Sequence, residues 1–244
     1  MELHKHDLSA RRWNAELCHH LCTEHRNKFD EWWNPDRFDW ENASWILAKY
    51  CHEHFDKWWN GEKFDWKKSW ALTEFCYMHL SKWWNPDKFN WQDASWTLAK
   101  FCYMHFNVWW NTKLFNWNAS WALAQYCHKF FNTWWNADKF EWDDSWTLAE
   151  YCSDYFGKWW DPDKFDWKDS SGVLAKHCAK YFDIWWNPDK FNWEDENAFS
   201  ALVSCCADYT DIWFYDYLKR FRLTKAVIHI TDFNTLKLRC ALED

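Results

Sequence analysis

A repeat of 25 or 26 residues constrains this chain more than any other feature. The second tryptophan of a Trp-Trp dyad falls at Trp33, Trp59, Trp84, Trp110, Trp135, Trp160 and Trp186, in steps of 26, 25, 26, 25, 25 and 26 residues. One copy, from Asn60, reads N-G-E-K-F-D-W-K-K-S-W-A-L-T-E-F-C-Y-M-H-L-S-K-W-W. A unit this short cannot bury its own aromatic area, so neighbouring units must share a core.

Of the 28 tryptophans, 26 sort into three columns. Fourteen form the dyads, seven follow an F-x-W pattern (Trp40, Trp66, Trp91, Trp117, Trp142, Trp167, Trp193), and five follow a recurrent serine (Trp45, Trp70, Trp96, Trp121, Trp146). Trp13 and Trp213 stand outside these columns. At roughly 150–250 Å² each, such rings dominate core area, so the columns read first as packing. One dyad ring is expected to enter the core. Its neighbour then points about 100° away into a joint or groove.

Ser44 to Trp59 carries a helical pattern. Ser44, Leu47, Cys51, Phe55 and Trp58 step by three or four residues, while Asn42, Lys49, Glu53 and Asp56 gather on the remaining side. The spacing predicts one helix of about 24 Å over this segment. Asparagine or aspartate follows each dyad, and Pro35, Pro86, Pro162 and Pro188 come next. Such a pair ends one element and caps the next. Trp40 to Trp45 is five residues, whereas Trp66 to Trp70 is four. A deletion inside a rigid helix would rotate everything after it by about 100°, so an adjustable joint is expected before the serine.

The fold expected is all-α: a solenoid-like array of about seven tryptophan-rich helical repeats over 32–204, with a degenerate cap at 1–31 and a distinct cap at 205–244. Leu21-Cys22-Thr23-Glu24-His25 aligns with Tyr50-Cys51-His52-Glu53-His54, with three extra residues before Phe29. The last units lose their column tryptophan at Gly172 and, on this alignment, at Phe199. Tyr215 to Leu223 reads as helix, and Lys225 to Thr231 has partial strand patterning. The arrangement resembles helical-repeat proteins in general, although it lacks the tetratricopeptide, ankyrin and HEAT patterns.

Charge and cysteine content narrow the function classes. With 29 basic and 37 acidic residues the net charge is -8, which disfavours a nucleic-acid backbone as partner. No run approaches eighteen apolar residues, so no membrane span is expected. Met1 to Asp7 lacks a signal-peptide core, and eleven cysteines without one indicate a reducing, cytoplasmic setting.

The residue patterns bear on three chemistries. Cys51/His54, Cys76/His79 and Cys102/His105 have the spacing of soft-metal half-sites. Later copies place Phe130, Tyr155 and Tyr181 at the histidine position, so buried thiols are expected and no metal or cofactor is assigned. Acidic turns such as Asp36, Asp39 and Glu41 lack the calcium-loop pattern and read as caps. No phosphate loop, G-x-S-x-G, H-E-x-x-H or dinucleotide fingerprint occurs. The expected role is therefore a non-enzymatic scaffold binding another macromolecule, a protein in preference to nucleic acid. Its binding positions are the second dyad tryptophans (Trp33, Trp59, Trp84, Trp110, Trp135, Trp160, Trp186) together with Gly172 and Phe199, where the repeat breaks. The alternatives are a ligand or soft-metal binder using the Cys/His pairs, and an enzyme with its site at the C-terminal symmetry break.

Overall fold

The computed structural model describes residues 12–220. Among these residues all regular structure is helical, and the repeat is the architectural unit. The second repeat shows the plan: a helix Trp40–Tyr50, a 3-10 turn His52–His54, and a short helix Phe55–Trp58 that ends on the dyad. Eight repeats follow this order. The first contains Ala15–Glu24, Arg26–Lys28 and Phe29–Trp32, and the eighth contains Glu196–Cys205, Ala207–Tyr209 and Thr210–Arg220. Trp213, which the sequence columns left out, occupies the inner dyad position of that eighth repeat, with its indole N–H on the Cys206 carbonyl at 3.0 Å.

The single helix expected from Ser44 to Trp59 is broken at Cys51. Cys51 has φ -121° and ψ 24°, outside helical values. Its carbonyl accepts from His54 N at 2.9 Å and from the Trp58 indole N–H at 2.8 Å. The first bond tightens the turn to three residues, and the second takes the acceptor that a continuing helix would use. The same indole bond recurs from Trp83, Trp109, Trp134, Trp159 and Trp185 to Cys76, Cys102, Cys127, Cys152 and Cys178.

The joint before the serine follows repeat length. Where five residues separate the F-x-W tryptophan from the column position (Trp45, Trp96, Gly172), the segment is continuous α-helix: Trp40–Tyr50, Trp91–Phe101 and Trp167–His177. Where four separate them, a 3-10 turn leads into a shorter helix. The pairs are Trp66–Lys68 with Ser69–Phe75, Trp117–Ala119 with Ser120–Tyr126, and Trp142–Asp144 with Ser145–Tyr151. Four α-helical steps rise about 6 Å, and so do about three 3-10 steps. The tighter winding recovers the lost length and holds the angular error near about 40° instead of about 100°.

Met1–Ala122 and Leu123–Asp244 form two compact bodies. In the first, the helix of each repeat packs on that of the next: Ala15–Glu24 on Trp40–Tyr50, that helix on Ser69–Phe75, and Ser69–Phe75 on Trp91–Phe101. In the second, Ser145–Tyr151 packs on Trp167–His177, which packs on Glu196–Cys205. This is the nearest-neighbour pattern of a solenoid.

Two polar columns fasten successive repeats. The column serine of a repeat accepts the backbone N–H of the middle residue of the next repeat's F-x-W segment. Asp65 N lies 3.2 Å from Ser44 Oγ, Asn90 N 3.1 Å from Ser69 Oγ and Asn116 N 3.0 Å from Ser95 Oγ. Asp166 to Ser145 and Asn192 to Ser171 repeat the contact in the second body. The buried cysteines donate backwards, as Cys76 Sγ does to the Ala48 carbonyl at 3.7 Å and Cys178 Sγ to Ala149 at 3.7 Å. Alanine, leucine, cysteine, phenylalanine and the inner dyad tryptophan fill the core between them.

The ends correct two registers. His25, not Cys22, stands at the cysteine position, because Trp32 donates its indole N–H to the His25 carbonyl at 2.9 Å. On that register the three extra residues before Phe29 disappear, and Cys18 takes the serine position and accepts Asp39 N at 3.5 Å. Near the other end, Cys206 closes the helix Glu196–Cys205 by donating its N–H to Leu202. Counting back from Leu202 places Phe199 at the serine position and Ser200 at the column tryptophan. Phe199 there packs against Tyr217 at 5.3 Å and Trp213 at 6.2 Å. The described part of the expected helix after Tyr215 is helical within Thr210–Arg220. Lys225 to Thr231 lies outside the described residues.

Candidate functional site

The seven second dyad tryptophans are half-buried, each inside the aromatic turn of its own repeat, while their inner neighbours are core. Trp33 stacks on Phe29 at 5.2 Å, tilts against Phe38 at 5.3 Å and meets Trp40 edge-on at 5.8 Å. Trp40 is fixed in turn by its indole bond to the Pro35 carbonyl at 2.8 Å. The edge-on contact with the F-x-W tryptophan recurs at Trp59, Trp84, Trp110, Trp135, Trp160 and Trp186. No two of these seven rings touch, so they do not form one stacked platform. Trp186 alone gives its indole N–H to a carboxylate, Asp216 Oδ2, at 2.9 Å. Gly172 is covered: a Cβ there would lie 2.9 Å from Ala198 Cα.

The Cys/His spacing resolves into two separate packing columns. The thiols point at carbonyls of the preceding repeat, while the rings three residues later lie flat on its phenylalanine. His54 stacks on Phe29 at 4.5 Å and His79 on Phe55 at 4.5 Å. Tyr155 on Phe131, Tyr181 on Phe156 and Tyr209 on Phe182 do the same at 4.5 Å. The column therefore selects a flat ring and not a ligand, which is why tyrosine replaces histidine freely. Burial pushes the thiols of Cys76, Cys102, Cys152, Cys178 and Cys206 up to about 12, so they are poor nucleophiles and ligands at neutral pH. Among the described residues no group of three or more His, Cys, Asp or Glu could hold a metal ion.

The surface has its own periodicity, written in ion pairs between successive repeats. In the first body Lys57 reaches Asp30 at 2.6 Å and Lys82 reaches Asp56 at 2.5 Å. A second row joins the turns, Lys63 to Asp36 at 3.0 Å and Lys88 to Glu62 at 2.8 Å. The second body shows the turn row again, Lys164 to Asp138 at 3.6 Å and Lys190 to Asp163 at 2.7 Å. Such exposed pairs add little stability each, but they keep the surface charged and matched.

Both rows stop in the fourth repeat. Val108 stands where Lys57 and Lys82 stand, and it is 57% exposed. Leu114 stands where Lys63 and Lys88 stand, and it is 40% exposed. A third position loses charge beside them. Met78 and Met104 occupy the place at which Lys180 and Asp154 pair at 3.2 Å in the second body, and they are 76% and 77% exposed. Tyr77 and Tyr103 precede them, also exposed. Leu80 replaces the phenylalanine of other repeats, so His105 lacks a ring to lie on and is exposed.

Met78, Met104, Val108 and Leu114 thus place exposed apolar side chains at columns that carry charge in other repeats, with Tyr77 and Tyr103 next to the methionines; in the second body Ile184 and Ile212 do so at the Val108 column alone. Sequence reasoning sought uniqueness at Gly172 and Phe199 and missed this stretch. The signal was present: lysine is replaced at two columns in one repeat. It could not be read before the ion-pair rows were known.

Among the described residues no helix is long and apolar enough to cross a membrane. Comparison with family models, with curated proteins and with solved structures gives no match for this chain, so its function rests on its own geometry.

Proposed function

We propose that this chain is a non-enzymatic helical-repeat scaffold that binds another protein through the surface at Tyr77, Met78, Tyr103, Met104 and Val108. One observation carries the reading: of the ten large exposed apolar side chains among the described residues, six are Tyr77, Met78, Tyr103, Met104, Val108 and Leu114, and Val108 and Leu114 stand where lysines of the preceding repeats make interrepeat ion pairs. Exposed apolar clusters of this kind mark interaction surfaces. Methionine adapts its shape to a partner, and tyrosine contributes area with a polar tip, which suits a protein partner better than a phosphate backbone. A reducing, cytoplasmic setting fits the same reading, because the buried cysteines act as S–H donors, which a disulfide would prevent.

The test is affinity capture under native, reducing conditions with the wild-type chain and with a Met78→Glu, Met104→Glu double variant of equal melting temperature. A partner retained by the wild type and lost by the variant supports the proposal. Equal retention by both, or no retained partner, overturns it.

A further inference from the structure

The longer helices of the first body carry a second aromatic surface, separate from the methionine patch. The tryptophan after each serine projects from it half-exposed. Trp45 and Trp70 approach at 6.1 Å, and Trp96 and Trp121 stack at 6.4 Å, but Trp70 and Trp96 make no ring contact. Trp96 is the only exposed tryptophan, at 37%. The step between Trp70 and Trp96 is fixed from below. There Thr73 Oγ1 donates to Thr97 Oγ1 at 2.7 Å, buried between the helices Ser69–Phe75 and Trp91–Phe101.

This surface already holds cations. Lys49 Nζ lies 5.1 Å from the Tyr50 ring centre and 6.0 Å from that of Phe75. Lys100 Nζ lies 5.8 Å from Trp96 and 4.9 Å from Phe101. At the same place in the intervening repeat stands Glu74, four residues after Trp70 and so on its side of the helix. Its half-buried carboxylate has no ion pair and no hydrogen bond among the described residues, although the lysines of both neighbouring helices are aligned with it. The lysines rest on rings, and the acid is left open.

We propose that Trp70, Glu74 and Trp96 form a binding site for an arginine side chain of a partner protein. A guanidinium is flat, stacks on indole faces and offers paired N–H donors to one carboxylate, so it satisfies both halves of the site. A net charge of -8 favours approach of such a basic segment. The inference deepens the scaffold reading by naming a chemistry of the partner. It uses a different surface, so the two can fail separately.

Fluorescence anisotropy with a dye-labelled nonapeptide carrying three arginines tests it, beside its citrulline and lysine counterparts. The arginine peptide is expected to bind the full chain and the citrulline peptide to lose binding. Glu74→Gln and Trp96→Ala should each weaken binding by about fivefold or more. Glu53→Gln removes the same charge from another surface and should leave it unchanged, as should the Met78→Glu, Met104→Glu double variant. Equal effects of Glu74→Gln and Glu53→Gln would reduce the binding to bulk charge and overturn the site. Equal affinity for the lysine peptide, or binding of a single-stranded oligonucleotide in its place, would also overturn it.

Discussion

Trp58 donates its indole N–H to the Cys51 carbonyl at 2.8 Å, across seven residues and beneath the core. This bond fixes the bend between the two helices of the repeat, because the carbonyl is buried and has left the α-helical ladder. Trp58→Phe keeps the ring area and removes the donor. It should cost about 1–2 kcal/mol and lower the melting temperature by roughly 2–6 °C. Trp59→Phe is the control: that indole N–H has no acceptor among the described residues, and its loss should be the smaller. Thermal denaturation followed by circular dichroism measures both, and equal losses would remove the indole bond as the cause of the bend.

Ser170 and Ser171 should respond oppositely to alanine. Ser171 Oγ accepts Asn192 N at 3.2 Å and donates to the Trp167 carbonyl, so Ser171→Ala removes the acceptor of the half-buried Asn192 N–H and a contact that joins the two repeats. A loss of about 1–3 kcal/mol is expected. Ser170 Oγ is buried with no partner among the described residues, at a position where four other repeats place alanine (Ala43, Ala94, Ala119, Ala198). Ser170→Ala should therefore be neutral or stabilising by up to about 1 kcal/mol. Urea denaturation of the two variants decides this, and a loss at Ser170 as large as at Ser171 would contradict the assignment.

Gly172→Ala tests the close approach at the seventh repeat. Alanine is the better helix former by about 1 kcal/mol, so an open site would gain stability. Here the new Cβ would meet the Ala198 backbone at 2.9 Å, and backbone cannot swing aside. A net loss of about 1–3 kcal/mol is expected. A rise in melting temperature would show that the helices Trp167–His177 and Glu196–Cys205 separate without cost.

Asp144 is held above the ordinary carboxylate pKa of 3.8, first by burial and then by the charges of Glu141 and Asp143. A raised carboxyl pKa means the folded chain binds this proton more tightly than the unfolded chain. Its contribution is thus most favourable at low pH and is lost as pH rises from the ordinary value through the folded one. Asp144→Asn should raise the melting temperature at pH 7 by a few degrees, with the gain shrinking toward pH 4. A gain that stayed constant across this range would rule out the carboxylate charge as its source.

How much of this was legible beforehand differs from column to column. The inner dyad tryptophans, the small alanine and cysteine positions and the shared core follow from periodicity, since a short repeat of such apolar area has only its neighbours to pack against. The break at Cys51 was not legible, because it depends on an indole hydrogen bond formed only when the bend exists. The histidine column misled for a related reason: spacing gave one helical side, whereas a 3-10 turn sends the thiol and the ring to different partners.

The sequence by itself determined that this chain is a helical array, that its repeats vary by one residue and where that variation falls. Those properties are set by local spacing and by burial of large rings. Tertiary structure decided the rest: the 3-10 winding that absorbs the missing residue, the true register of His25 and Phe199, and the surface at 77–114. Each of these depends on which groups of adjacent repeats come within hydrogen-bonding or ion-pairing distance. A lysine-to-valine change therefore gains meaning only beside the acid it would have met.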